Sequence, residues 1–254
     1  MRRFFVEEIV EKDGAVSIKG SEARHMSKVL RMGPGDRIIL FDRKGNHFVA
    51  SIRSITPHEV EVLLKGSAPR PSPTPVEIIL CQALIRPSQM DYMIQKTSEL
   101  GVARIFPFTS ERTIVRPSKE RLGNRMRHWR EIAASSAKQC GRMAPAEIEG
   151  PKSFRDLIIG FNEFEGAKII LWEEKGGKDL RGLLRESRPP RSFVGVVGPE
   201  GGFSREEISI ARDGGFIPAS LGSRILRSET AASTLVAIVQ YEWGDLSLDE
   251  KERD

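Results

Sequence analysis

The sequence predicts an α/β protein in two parts: a small β-barrel, then a larger domain built on a mostly parallel sheet. Three observations carry this. Residues 1–66 read as short β-type runs separated by turn signals. Ala68–Pro75 places four prolines in eight residues, and proline fixes φ and supplies no amide donor, so no central strand or helix forms there. Beyond it, β-type runs alternate with helical ones, the pattern of a parallel sheet covered on both faces. The expected division is 1–68 for the barrel, 69–75 for a Pro-rich linker and 76–254 for the α/β domain.

In the first part, Arg3–Val10, Ala15–Lys19, Arg37–Phe41, His47–Ile55 and Glu59–Leu64 are the β-type runs. Gly14, Gly33 to Asp36 and Lys44 to Asn46 are the turns between them. Several short, closely spaced strands suggest a small barrel. One helix interrupts them. Ser21 is its expected N-cap, and Met26, Val29 and Leu30 are spaced for one buried face.

In the second part, Val76–Leu80 is a buried-strand run. Pro87 suits the first position of a helix ending at Leu100, with Gly101 as its stop. Ile105–Phe108 is strand-like. Glu120–Cys140 reads as a long basic helix with Met126, Trp129, Ile132, Ala133 and Ala137 on one side. Lys168–Trp172 is a strand and Leu180–Leu184 lies in a helix. Phe193–Val197 is a strand, and the spacing of Ser204 and Glu207 marks a capping box for a helix that stops at Gly214 and Gly215. Phe216–Leu221 is another strand, and Glu229–Trp243 the last helix.

Composition narrows the function. No apolar run approaches the roughly 20 residues of a membrane span, and the N-terminus has no apolar signal core, which makes the cytoplasm the expected location. Cys81 and Cys140 lack metal-ligand spacing, so neither a metal nor a disulfide framework is expected. The net charge is +5, and Arg104–Arg142 alone holds 10 basic against 3 acidic residues. Such local excess suggests a polyanionic partner, RNA or DNA first.

Two Gly-bearing turns follow buried strands. One is Gly198, Pro199, Glu200, Gly201 and Gly202; the other is Leu221, Gly222 and Ser223. In open α/β sheets ligands bind at the carboxyl ends of strands, and glycine lets backbone groups approach a ligand closely. The phosphate-binding patterns G-x-x-x-x-G-K-[ST] and G-x-G-x-x-G are both missing. There is no G-x-S-x-G, and His25, His47, His58 and His128 lie outside this region. Backbone recognition of an adenosine-type ligand is the reading left. Arg227 and Glu229 follow the second turn; a fixed guanidinium there would stabilise developing negative charge.

GPEGGFS (198–204), LG-x-RILR-x-ETA (221–231), K-x-x-ELGV (96–102) and HMSKVLRMGPGD (25–36) together resemble the 16S ribosomal RNA (uracil(1498)-N3)-methyltransferase family of the SPOUT methyltransferases. SERTIV (110–115) and AKQCGR (137–142) are similar to further family segments, and the likeness spans nearly the whole chain. One departure is visible: Ser135 and Ser136 stand where the family commonly has Glu-Ala.

The resemblance implies a PUA-like β-barrel that helps bind RNA, then an α/β domain with a deep trefoil knot. It implies S-adenosylmethionine as cofactor, held by Leu171, Gly198, Glu200, Gly201, Gly202, Leu221, Gly222, Ile225, Leu226 and Arg227. It further implies a homodimer and 16S ribosomal RNA or the small subunit as partner. Arg227 is the expected catalytic cation. For the base, Glu229 and water are the alternatives. Arg24, His25, Lys28, Arg31, Arg112, Arg116 and Arg142 are the expected RNA contacts, and their affinity should fall steeply with salt. Two other readings stand beside this one: a SPOUT enzyme acting on another RNA nucleotide, and a non-catalytic RNA-binding assembly factor.

Overall fold

A computed structural model describes residues 1–12, 14–69, 74–116, 118–142, 144–173 and 178–246. By its contacts the chain divides into two compact units, Met1–Pro73 with Ala134–Pro145, and Thr74–Ala133 with Ala146–Asp254. Residues 134–145 therefore stand with the first unit, although the sequence reading placed all of 76–254 together. The expected linker lies mostly outside the described residues.

The first unit holds β1 (Arg2–Val6), β2 (Glu11–Lys12), β3 (Ala15–Lys19), β4 (Arg37–Asp42), β5 (His47–Ile55) and β6 (Glu59–Ser67). They pair in the order β1-β4-β5-β6-β3-β2, antiparallel except for β1 with β4. Alternate residues enter one core: Phe4 from β1, Val16 and Ile18 from β3, Ile38 and Leu40 from β4, Val60 and Val62 from β6. Strands near both ends of the order share this core, so the sheet curls on itself as a small barrel does. On the other face, Phe5 and Phe41 pack against Ala137 of the 134–145 segment.

The helix in this unit differs from expectation. The α1 helix (Gly20–Arg24) is capped at Lys19, not Ser21. His25–Val29 then winds as a π-helix, in which Leu30 N–H donates to His25 O at 2.9 Å. The wider turn rotates the side chains relative to a 3.6-residue period. Ala23 and Met26 are buried, whereas Val29 is 67% exposed. Likewise β1 ends at Val6, and Val10 is exposed.

The second unit begins with β7 (Glu77–Ala83), α2 (Pro87–Glu99), β8 (Arg104–Thr109) and α3 (Lys119–Cys140), whose final residues belong to the first unit. Pro87 sits in the first turn of α2, and Gly101 takes a φ of +94° beyond the helix end, as read from the sequence. Short strands β9 (Glu147–Ile148) and β10 (Lys152–Ser153) and helix α4 (Phe154–Gly160) follow; none of these was read from the sequence. Then come β11 (Ala167–Leu171), β12 (Lys178–Asp179), α5 (Leu180–Glu186), β13 (Ser192–Val197), α6 (Arg205–Asp213), β14 (Ile217–Ser220) and α7 (Ser228–Trp243).

Every described strand pair of this sheet is parallel, in the order β10-β8-β7-β13-β11-β14-β12 with β9 also on β8. Alternation sends each strand's side chains to two cores. Ile78 and Leu80 of β7 and Phe193 and Val197 of β13 join residues of α2, α3, α5 and α7. Ile79 and Cys81, with Val194 and Val196, join residues of α4 and α6. Helices thus cover both faces, which a parallel sheet requires. At Gly195 the α7 helix comes close: a Cβ there would lie 2.6 Å from Leu235 Cδ2.

Candidate functional site

The carboxyl ends of β7, β11, β13 and β14 surround a cleft of ≈ 470 Å³. That size suits a nucleoside-type small molecule. Its floor is made by the two Gly turns. In the first, Gly202 N–H donates to Pro199 O at 3.0 Å, and Gly202 has a φ of +68°. In the second, Gly222 N–H donates to Ser220 Oγ at 3.2 Å, and Gly222 has a φ of +108°. A Cβ on Gly222 would meet nothing within 4 Å, so its glycine serves backbone conformation and leaves the space before it free.

Buried hydrogen bonds brace these turns. Gln82, fully buried on β7, donates through Nε2 to Ser228 Oγ at 2.8 Å and to Ala83 O at 3.0 Å. Ser228 Oγ donates in turn to Gly198 O at 2.5 Å. One serine at the start of α7 thus joins a central strand to the first Gly turn. Trp172 N–H donates to Ala219 O at 2.9 Å, which sets the second turn beside the end of β11.

The structure brings most of the expected ligand contacts together. Leu171, Gly198, Glu200, Gly202, Leu221, Gly222, Ile225, Leu226 and Arg227 all line the cleft, as does Glu229. Gly201 is not among the lining residues; its carbonyl accepts a hydrogen bond from Arg112 Nη1 at 3.0 Å. Ile225 is 82% exposed on the rim. Arg227 is the N-cap of α7, exposed, with no side-chain capping bond. Glu229 is half-buried in the helix's first turn, and the two form no ion pair among the described residues.

The expected RNA contacts separate between the units. Arg24, His25, Lys28 and Arg31 are exposed around the α1 and π-helical turn of the first unit. Arg31 adopts a φ of +49°, the only such non-glycine among the described residues. Arg142 also belongs to the first unit, where its carbonyl accepts from Arg3 Nη2 at 2.7 Å. Arg112 and Arg116 are exposed in the second unit, and Arg112 lines the cleft itself.

Sequence reasoning missed Arg86, Gln89, Trp172 and Glu173 as lining residues. Arg86 had a legible signal, since it immediately precedes the helix-starting Pro87 in the connection that follows the predicted strand Val76–Leu80. Arg86 N–H lies 3.4 Å from Glu200 Oε1, tying that loop to the first Gly turn. No group of three or more metal-ligating side chains occurs among the described residues. The cleft therefore offers backbone amides and carbonyls, apolar walls and a rim of arginines and glutamates.

Known proteins are similar to this chain in sequence and fold. A family model described as an RNA methyltransferase domain matches residues 72–240, and one described as an RNA methyltransferase PUA domain matches 18–65. The chain is 30% identical over 247 residues to Ribosomal RNA small subunit methyltransferase E of Buchnera aphidicola subsp. Schizaphis graminum, covering 96% of this chain and 98% of that one. It is 26% identical over 249 residues to the protein of that name from Bacillus subtilis, covering 95% and 97%. A solved structure of Ribosomal RNA small subunit methyltransferase E from Neisseria gonorrhoeae, bound to S-adenosyl methionine, superposes with a TM-score of 0.86 at 32% identity, covering 97% of this chain and 100% of that one. A methyltransferase from Legionella pneumophila in complex with the cofactor SAM gives 0.88 at 32% identity, covering 96% and 98%.

Proposed function

The chain belongs to the RNA methyltransferase family matched over residues 72–240, and we propose that it is an S-adenosylmethionine-dependent methyltransferase of 16S ribosomal RNA that acts on uridine N3, at the position the family name gives as 1498. The observation that carries this reading is the cleft, in which two braced Gly turns meet Arg227 and Glu229 at the strand ends. Its open backbone edges and its volume fit an adenosine group, and the chain's solved relatives at 32% identity hold that cofactor.

When bound, S-adenosylmethionine supplies a methyl group activated on a sulfonium centre. The chain's own part is positioning and charge stabilisation. The turns at Gly198–Gly202 and Leu221–Leu226 hold the adenosine end through main-chain groups. Uracil N3 is a poor nucleophile until it loses its proton, and that loss places negative charge on N3, O2 and O4. Arg227, exposed on the rim, is assigned to offset that charge. Glu229 lines the same cleft and is the side-chain candidate for receiving the proton, with water as the other route.

Arg24, His25, Lys28, Arg31, Arg112, Arg116 and Arg142 are assigned to RNA phosphates, which position a substrate without reading its sequence. The trefoil knot is part of the same reading. The β14 strand lies outside β11, whereas α7 lies against β7 and β13, so the chain returns across the sheet between β14 and α7, a crossing that is compatible with a knotted path. The homodimer is supported by exposed Tyr241 and Leu246, which lie with Ile238 beside Leu221 and Gly222. No described helix is long and apolar enough to cross a membrane; a cytoplasmic site of action follows from the substrate.

The test is mass mapping of modified nucleosides in small-subunit RNA after incubation with the protein and cofactor. One added methyl on a uridine, placed at N3, is the expected result. Cofactor binding by calorimetry without methyl transfer to any RNA would leave a binding protein and defeat the proposal.

A further inference from the structure

Glu207 is only 6% exposed, and both of its carboxylate oxygens are committed to backbone amides. Oε2 accepts from Ser204 N–H at 3.0 Å, while Ser204 Oγ accepts from Glu207 N–H at 3.3 Å; this is the local capping box of α6. Oε1 accepts from Glu111 N–H at 2.9 Å, a residue 96 positions earlier in the chain. A capping box needs one oxygen. The second reaches the segment that follows β8.

That segment is a tight unit. Ser110 N–H donates to Thr113 Oγ1 at 2.9 Å, and Thr113 N–H to Ser110 O at 3.2 Å. Its next residue, Arg112, lines the cleft and donates through Nη1 to Gly201 O at 3.0 Å. A Cβ on Gly201 would lie 3.2 Å from Arg112 Cβ, so the missing side chain permits the close approach. A guanidinium carries five N–H donors, and the bond to Gly201 uses one. Two ties thus join segment 110–113 to the first Gly turn and the start of α6.

We propose that Glu207 is a positioning residue that holds Arg112 at the cleft rim, where the guanidinium grips a phosphate next to the target nucleotide. The inference rests on the RNA methyltransferase reading above and adds one residue and its mechanism to it. Acid is required at this position. Both oxygens face N–H donors, a carboxylate accepts two, and charge-assisted bonds are the stronger kind. Glutamine in its place would set an NH₂ against one backbone N–H and release either α6 or Glu111.

A double-mutant cycle reads the coupling directly. The affinity of a small-subunit RNA fragment carrying the target uridine is measured in the presence of S-adenosylhomocysteine for wild type, R112A, E207Q and the double variant. Each single change is expected to weaken RNA binding about tenfold, and the double variant no more than about tenfold, because both remove the same grip. Affinity for S-adenosylhomocysteine should stay within about threefold throughout. Ser204→Ala, which breaks only the local capping box, should lower thermal stability and leave RNA affinity within about threefold. A roughly hundredfold loss in the double variant, or unchanged RNA affinity in E207Q, overturns the proposal. Should E207Q fail to fold, Glu207→Asp enters the same cycle with the same two outcomes. A wild-type chain that bound no S-adenosylhomocysteine would instead overturn the parent reading, and this one with it.

Discussion

Ser228 Oγ donates to the carbonyl of Gly198 at 2.5 Å while accepting from Gln82 Nε2 at 2.8 Å. The buried serine hydroxyl both donates and accepts, and it ties the start of the first Gly turn to the start of α7. Ser228→Ala removes both bonds and leaves the Gly198 carbonyl and a Gln82 N–H without that partner. Stability should fall by about 1–3 kcal/mol, measured by urea unfolding. Cofactor affinity should fall with it, by about 5- to 20-fold in calorimetry, since the turn loses its brace. Wild-type cofactor affinity in this variant would remove the turn from the binding site.

Arg227 stands at the N-cap of α7 with no capping bond and an exposed side chain, so its removal should cost the helix little. Arg227→Ala should lower single-turnover methylation by about 10²–10³, the size seen when a charge-stabilising donor is lost. Cofactor affinity should change far less. Single-turnover rates equal to wild type would sink the assignment.

Lys168 on β11 closes two helix ends at once. Its ammonium donates to Phe161 O at 3.1 Å and Asn162 O at 3.2 Å beyond α4, and to Gly214 O at 2.8 Å beyond α6. A cation among carbonyls at helix C-termini satisfies orphan acceptors and complements the dipole. Lys168→Met keeps the apolar stem and loses the head. Urea unfolding should report a loss of about 1–3 kcal/mol, with the cleft's cofactor affinity preserved.

Asp42 titrates with a definite sign. Burial by itself would raise its pKa, but Asn46 through side chain and backbone, with Ile9 and Lys44 N–H, over-compensates and holds it below the usual carboxylate range. A depressed folded pKa contributes stability above the unfolded value, roughly pH 4, and loses it as pH falls through the folded one. Asp42→Asn should therefore be least stable relative to wild type at neutral pH, and the gap should narrow below about pH 4 in thermal melts. A gap that stayed constant down to pH 2 would exclude the charge as its cause.

The amino-acid sequence by itself determined the fold class, most of the longer elements and the two Gly turns at the strand ends. Pro87, Gly101, the Ser204 and Glu207 capping box and the strands before both Gly turns are signals spanning a few residues, and local backbone sterics and capping suffice to read them. Only the tertiary structure decided what braces the site. Gln82 meets Ser228 across 146 residues, Glu111 meets Glu207 across 96, and Arg112 meets Gly201 across 89. Local periodicity records whether a side chain is buried, not which distant partner it finds. The same limit hid the grouping of residues 134–145 with the first unit, because a helix's pattern shows an apolar face and says nothing about what covers it. At His25–Val29 the failure was different: a π turn changes the period itself, so a reading at 3.6 residues per turn placed Val29 inside when the fold turns it out.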